Sequence, residues 1–139
     1  MPYDPNNIFA KIIRGEAPAF KVYEDAHTIA FMDIMPQAEG HTLVIPKEHA
    51  ESIFDLSPEG AAALIKATQK VAAAVRHVTN APGILLAQLN GAAAGQTVFH
   101  IHFHIIPRTS GLDLKLHARE MADFEKLKAL AAKIAAAVK

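Results

Sequence analysis

Cysteine is absent from the 139 residues, which excludes disulfides, thiolate metal sites and a thiol nucleophile. Any metal would have to rest on histidine or carboxylate. Excess charge of either sign is absent too, since 14 acidic side chains balance 14 basic ones. Without a broad positive field nothing holds a nucleic-acid backbone by counterion release, so no nucleic-acid partner is expected, although a single nucleotide needs only a local pocket. No apolar stretch reaches the length of a membrane span, and Met1-Pro2-Tyr3-Asp4-Pro5 lacks the basic start and apolar run of an export signal. No membrane partner is expected, and the cytoplasm is the default location. Repeats and linker-like stretches are also missing, and the length suits one domain over 1–139. With half the residues apolar and a fifth charged, the composition is that of a folded enzyme or binding module rather than a disordered or fibrous chain.

What is present reads as an α+β chain. Asn7 before Ile8-Phe9-Ala10-Lys11-Ile12-Ile13-Arg14, with Gly15 after it, predicts a short capped helix. Lys21–Glu24 and Thr28–Asp33 are β-rich runs around a polar Asp25-Ala26-His27 turn, and a third run, His41–Ile45, lies between Gly40 and Pro46. Three antiparallel strands are the simplest reading. Ser57-Pro58 then opens the main helix, whose apolar face carries Leu64, Val71, Val75 and Val78 until Pro82-Gly83 stops it. Two more strands are expected at Ile84–Leu89 and Val98–Ile106, joined by the small-residue loop from Asn90 to Gly95. From about Asp123, Phe124, Leu127, Leu130 and Ile134 mark a closing amphipathic helix.

Side chains alternate along a strand, so His100, His102 and His104 are expected on one face, with Ile101, Phe103 and Ile105 on the other. A lone histidine there would read as structural; three at spacing two call for a chemical account. Zinc is one candidate, because neutral imidazole is a common ligand. The outer Cα atoms of such a row lie roughly 13–14 Å apart on a straight strand, while zinc needs its nitrogens within about 2.1 Å of one point. Two of the three could share an ion, and the third would need a sharp bend. A row of phosphate oxygens fits better, since imidazole donates to anionic oxygen when protonated and attacks phosphorus when neutral. Gly95-Gln96-Thr97, just ahead of the row, offers close backbone approach and neutral hydrogen bonds.

The run Gly95-Gln96-Thr97-Val98-Phe99-His100-Ile101-His102-Phe103-His104-Ile105-Ile106-Pro107-Arg108 resembles the signature of the histidine-triad (HIT) nucleotide-binding proteins, of the HINT-like bacterial type. Ile8–Ile13, Phe31-Met32-Asp33-Ile34 and Gly40-His41-Thr42-Leu43-Val44-Ile45-Pro46-Lys47 extend the likeness. It spans roughly residues 7 to 108, leaving a helical extension at about 112–139. The resemblance implies a five-stranded antiparallel sheet with a main helix and terminal helices, continued across a homodimer. It implies hydrolysis or transfer at the α-phosphate of purine nucleoside phosphoramidates or acyl and aminoacyl adenylates (AMP or GMP conjugates), without a cofactor or metal. A dinucleoside polyphosphate hydrolase and a nucleotide-binding module with little catalysis are the alternatives.

Carried over by position, the resemblance makes His102 the nucleophile, with His104 and His41 on the phosphate and His100 orienting the nucleophile. Gly95, Gln96 and Thr97 match the phosphate and leaving-group loop, and Asp33 matches the ribose ligand. Phe9, Ile12 and Ile34 match the slot for the base. The three apolar residues also read as plain core, and Asp33 as a strand-end turn residue. Leu89 stands where many members carry Asn or Gln; Asn90 is the candidate substitute, although alternation would aim it at the other face. The cysteine-based zinc site of some relatives is absent. His27, His49, His77 and His117 fall outside the triad and read as surface or structural.

Overall fold

The computed structural model describes residues 2–110 and 121–139. Helix α1, Ile8–Ile13, starts where the Asn7 side chain accepts from the Ala10 N–H at 2.9 Å. It ends at Arg14 and turns through Gly15, whose φ of +78° is comfortable only for glycine. Strands β1 (Lys21–Glu24), β2 (Thr28–Met32) and β3 (Thr42–Pro46) follow as an antiparallel meander. At the first turn Asp25 Oδ1 takes the N–H groups of His27 and Thr28 and the Thr28 hydroxyl. That turn chemistry explains why the three residues Asp25-Ala26-His27 reverse the chain here.

Ser57 caps the main helix α2, Pro58–Thr79, by accepting from Gly60 N–H, and Pro58 occupies the first turn where its missing donor costs nothing. Leu64, Ala67, Thr68, Val71, Ala74 and Val75 are its buried stripe, and left-handed Asn80 ends it. Strand β4 (Gly83–Ala87), a short 3₁₀ turn (Ala92–Ala94) and strand β5 (Phe103–Arg108) precede the last helix, α3 (Phe124–Ala137), capped by Asp123. The sheet has five strands, all antiparallel, in the order β1-β2-β3-β5-β4.

Both sheet faces are covered, which is why β2 and β3 are buried along their whole length. Ala30, Met32, Val44 and Ile105 face α2 and α3 together with Val71 and Ile134, while Ile29, Phe31, Leu43 and Ile45 face α1 through Phe9. Leu127, Ala131 and Ile134 of α3 join the larger cluster, and the Ala122 N–H just before it donates to the Ile34 carbonyl at 2.9 Å. The C-terminal segment thereby steadies the turn that follows β2. The part of the expected extension between 112 and 120, His117 included, lies outside the described residues.

The last two strands differ from the sequence expectation. Strand β4 stops at Ala87, and just beyond it the Gln88 and Asn90 carboxamides pair with each other. Strand β5 begins only at Phe103, so of the triad His104 alone lies in a strand. The chain bends over 98–100 and is pulled elsewhere: Ile101 N–H donates to Ala50 O, and the Ile101 side chain is fully buried beneath α2. Strand alternation therefore cannot set the direction of all three imidazoles.

Candidate active site

The bend separates the roles of the histidines. His102 and His104 keep their rings 4.9 Å apart and both line a cleft of about 480 Å³, whereas His100 does not line it. His104 sits in β5 between Leu43 of β3 and Ala87 of β4, so its backbone is held on both sides. His41, just before β3, reaches across with Nε2 3.0 Å from His104 Nδ1.

Hydrogen-bond partners fix the tautomers. A carbonyl can only accept, so the contact of His102 Nδ1 with His100 O at 2.8 Å puts the His102 proton on Nδ1 and its lone pair on Nε2. The same logic puts the His100 proton on Nε2, which donates to Pro46 O at 2.8 Å. His41 Nδ1 accepts the Gln37 N–H at 3.0 Å, leaving the proton of neutral His41 on Nε2. That proton is donated to His104 Nδ1, and His104 carries its own proton on Nε2. One imidazole is thus set as a base and nucleophile, and its neighbour as a donor. Burial holds His100 well below the usual histidine range, at about 4, against the opposing pull of the Pro46 carbonyl and with a further push from His102 and His49. It is a neutral anchor near pH 7.

The remaining cleft wall comes from Phe9 and Ile12 of α1, Phe31 and Leu43 of the sheet, Asp33 and Ile34 after β2, and Thr97-Val98 of the loop before the bend. Phe9 meets His102 edge-on at 4.9 Å and also packs against Phe31, so it serves core and slot at once. Ile34 is exposed at the rim. Asp33 combines both of its sequence readings: Oδ1 caps the turn by accepting from Met35 N–H, while Oδ2 lies 3.4 Å from His41 Nε2 at the cleft. A broader groove of about 820 Å³ between β1 and α2 carries Lys47, Lys66, Lys70, Glu48 and Glu59, but no member of the triad.

Three expected ligand residues sit elsewhere. The Gln96 carboxamide is taken up by its own loop, accepting from Gly91 N–H and donating to Glu51 O and Val98 O. Asn90 accepts from the Ile53 N–H at 2.8 Å and pairs with Gln88, so it ties two loops together. Gly95 takes a φ of +102° to close the 3₁₀ turn, and an added Cβ would press on Leu89 at 3.3 Å. These three shape the loop that presents Thr97. Phe31 and Leu43 are cleft residues that their place among core alternations conceals. Tyr3 also went unsuspected; its hydroxyl bonds His100 Nδ1.

Asp33, His41 and His104 place their ligand atoms within 4.8 Å of one another, near enough to consider a metal. The Gln37 N–H argues against that use. A metal on His41 Nε2 would displace its proton to Nδ1, where it would face the Gln37 donor. The trio is wired as a hydrogen-bond chain.

The model of the HIT domain matches residues 14–111. The chain belongs to the HIT family. Among HIT relatives, it is 48% identical over 103 residues to Protein hit of Bacillus subtilis, covering 74% of this chain and 71% of that one. It is 38% identical over 135 residues to the adenosine 5′-monophosphoramidase hnt1 of Schizosaccharomyces pombe, covering 95% and 98% of the two chains. The crystal structure of a Hit-like protein from Bartonella henselae superposes with a TM-score of 0.91 at 51% identity, over 99% of each chain. The HIT fold thus accounts for the five-stranded antiparallel sheet.

Proposed function

We propose that the protein hydrolyses purine nucleoside 5′-phosphoramidates, or acyl and aminoacyl adenylates, at the α-phosphorus through a nucleotidyl-His102 intermediate. The observation that carries this reading is the tautomer of His102, which directs a lone pair from Nε2 in a ring that lines an apolar, nucleotide-sized cleft. The name of the Schizosaccharomyces pombe relative, an adenosine monophosphoramidase, supports the same chemistry. His102 Nε2 forms a bond to phosphorus as the bond to the leaving group breaks; an amine departs with a proton from the His104–His41 pair, and a carboxylate departs as the anion. Water then attacks phosphorus as the bond to His102 Nε2 breaks, its proton restores the pair, and AMP or GMP is released. Positioning and charge stabilisation supply most of the rate.

A turnover panel tests this reading: AMP and GMP phosphoramidates should be consumed well ahead of dinucleoside polyphosphates. Preference for the dinucleotides would move the substrate to the sister branch, and no turnover of any of them would leave a binding module.

Asp33 is the proposed ribose ligand, because a carboxylate accepts from two vicinal hydroxyls. Asp33→Ala should weaken AMP by about tenfold or more, the worth of a hydrogen bond to a charged group. Titrations of AMP and deoxy-AMP separate this from the loss of the Met35 turn bond. If the affinity ratio between the two nucleotides stays at the wild-type value, the sugar assignment fails.

We also propose a homodimer. Strand β4 is a sheet edge, Leu86 on it is half exposed, and Ile65 on α2 is exposed as well. Sedimentation at micromolar concentration should give twice the chain mass, and a monomer throughout would exclude the pairing.

A further inference from the structure

The acceptor nitrogen of His100 is met by a residue near the start of the chain. Its ring is fully buried, and a neutral imidazole offers one donor and one acceptor. Pro46 O takes the donor, and the Tyr3 hydroxyl, 2.5 Å from Nδ1, supplies the matching proton. The Tyr3 ring lies stacked on His49, with centroids 4.6 Å apart and planes at 15°, and meets His100 edge-on at 5.6 Å. A bare phenyl ring would make both of those ring contacts. The hydroxyl is the only part of Tyr3 that reaches the His100 nitrogen.

We infer that Tyr3 is a positioning residue for the nucleophile: its hydroxyl pins the His100 ring, and the His100 carbonyl in turn holds the His102 Nδ1 proton. The inference rests on the proposed nucleophilic role of His102. Residue 100 is pinned at three points, by Tyr3 and Pro46 on its ring and by His102 on its carbonyl. With the Tyr3 bond removed, Nδ1 becomes a buried acceptor with nothing to accept, and the ring gains a reason to rotate or exchange tautomers. Either change moves the carbonyl that orients His102. Burial also raises the Tyr3 hydroxyl above the ordinary tyrosine range, so it stays protonated and able to donate. His49, whose place in Pro46-Lys47-Glu48-His49 has no role at the cleft, acquires one here as the platform beneath Tyr3.

The test compares Tyr3→Phe with His49→Leu in the full chain, reading side-chain nitrogen NMR of the histidines together with steady-state kinetics on AMP phosphoramidate. Wild-type protein should show His100 as the Nε2–H form and His102 as the Nδ1–H form. In Tyr3→Phe the His100 Nδ1 resonance should move to that of an unbonded acceptor, and His102 should show mixed tautomers. Its kcat should fall about tenfold, as expected for a displaced reacting group, with KM within about twofold. His49→Leu retains the hydroxyl and should lose less. Unchanged resonances with unchanged kcat in Tyr3→Phe would overturn the inference. So would equal losses in both variants with His102 still in one tautomer, which would reduce Tyr3 to packing. Absence of turnover in the wild type would instead strike the proposed function, and the spectra would still decide the role of Tyr3.

Discussion

Turnover of AMP phosphoramidate should fall by about 10⁴-fold or more in His102→Asn, the scale seen when a nucleophile is removed from a working constellation. Asn approximates the inner part of the imidazole and can still donate to His100 O, so the cleft and nucleotide affinity should survive. It has no nitrogen with an available lone pair, because the amide pair is delocalised. Rapid quench of wild-type enzyme should trap AMP on the peptide carrying His102, in a linkage that survives base better than acid. The variant should bind AMP and trap nothing. Attachment at His100 or His104 would falsify the choice of nucleophile while leaving the family untouched, and so would a variant with ordinary turnover. The fold already argues for His102 over its neighbours: His100 does not line the cleft, and the lone pair of His104 sits on Nδ1, where it accepts from His41.

His104→Ala should lower kcat by about 10²–10³-fold, the cost of removing one donor aimed at charge that develops during reaction. The tautomer set by Gln37 and His41 is what makes His104 that donor. Single-turnover kinetics should show slower formation of the adduct, still on His102, with melting temperature serving as the check that the buried His41 tolerates the loss. A rise in KM at constant kcat would mean that His104 binds ground state and transition state alike, and its place in the chemistry would be lost. The two variants therefore separate bond making from charge stabilisation.

Much of the framework was legible in the chain because its signals are local. Asn7 and Ser57-Pro58 announce helix starts through side-chain bonds made within three residues, and Lys21–Glu24 and Thr28–Met32 announce a hairpin through the turn chemistry of Asp25. That His102, His104, Asp33, Phe9, Ile12 and Ile34 come together was legible, since the likeness covers those residues by position and they line one cleft. What failed was the reach of a local rule. Alternation orders side chains only while the strand lasts, and here Ala50 and the core under α2 draw Ile101 aside before β5 begins.

The carboxamides of Asn90 and Gln96 were the least readable. An amide can serve a ligand or its own loop with equal chemistry, and only the placement of Ile53, Gly91 and Glu51 decides. Tyr3 was concealed for another reason. Its partner lies 97 positions away, a contact that no periodicity or spacing encodes.

The neutral burial of His100 also has a thermodynamic side. An unfolded chain takes up a proton on this histidine near pH 6.5, whereas the native ring resists until about 4. Between those values the unfolded state holds a proton that the native state lacks, so acidification through this window draws the equilibrium toward unfolding. Above pH 6.5 both states are neutral at this residue, and below about 4 both are charged, so the bias stops growing at either end. The arrangement that keeps one imidazole in a single tautomer thereby makes the whole fold a proton acceptor when it opens, and mild acid becomes a solvent condition that selects against the ordered molecule.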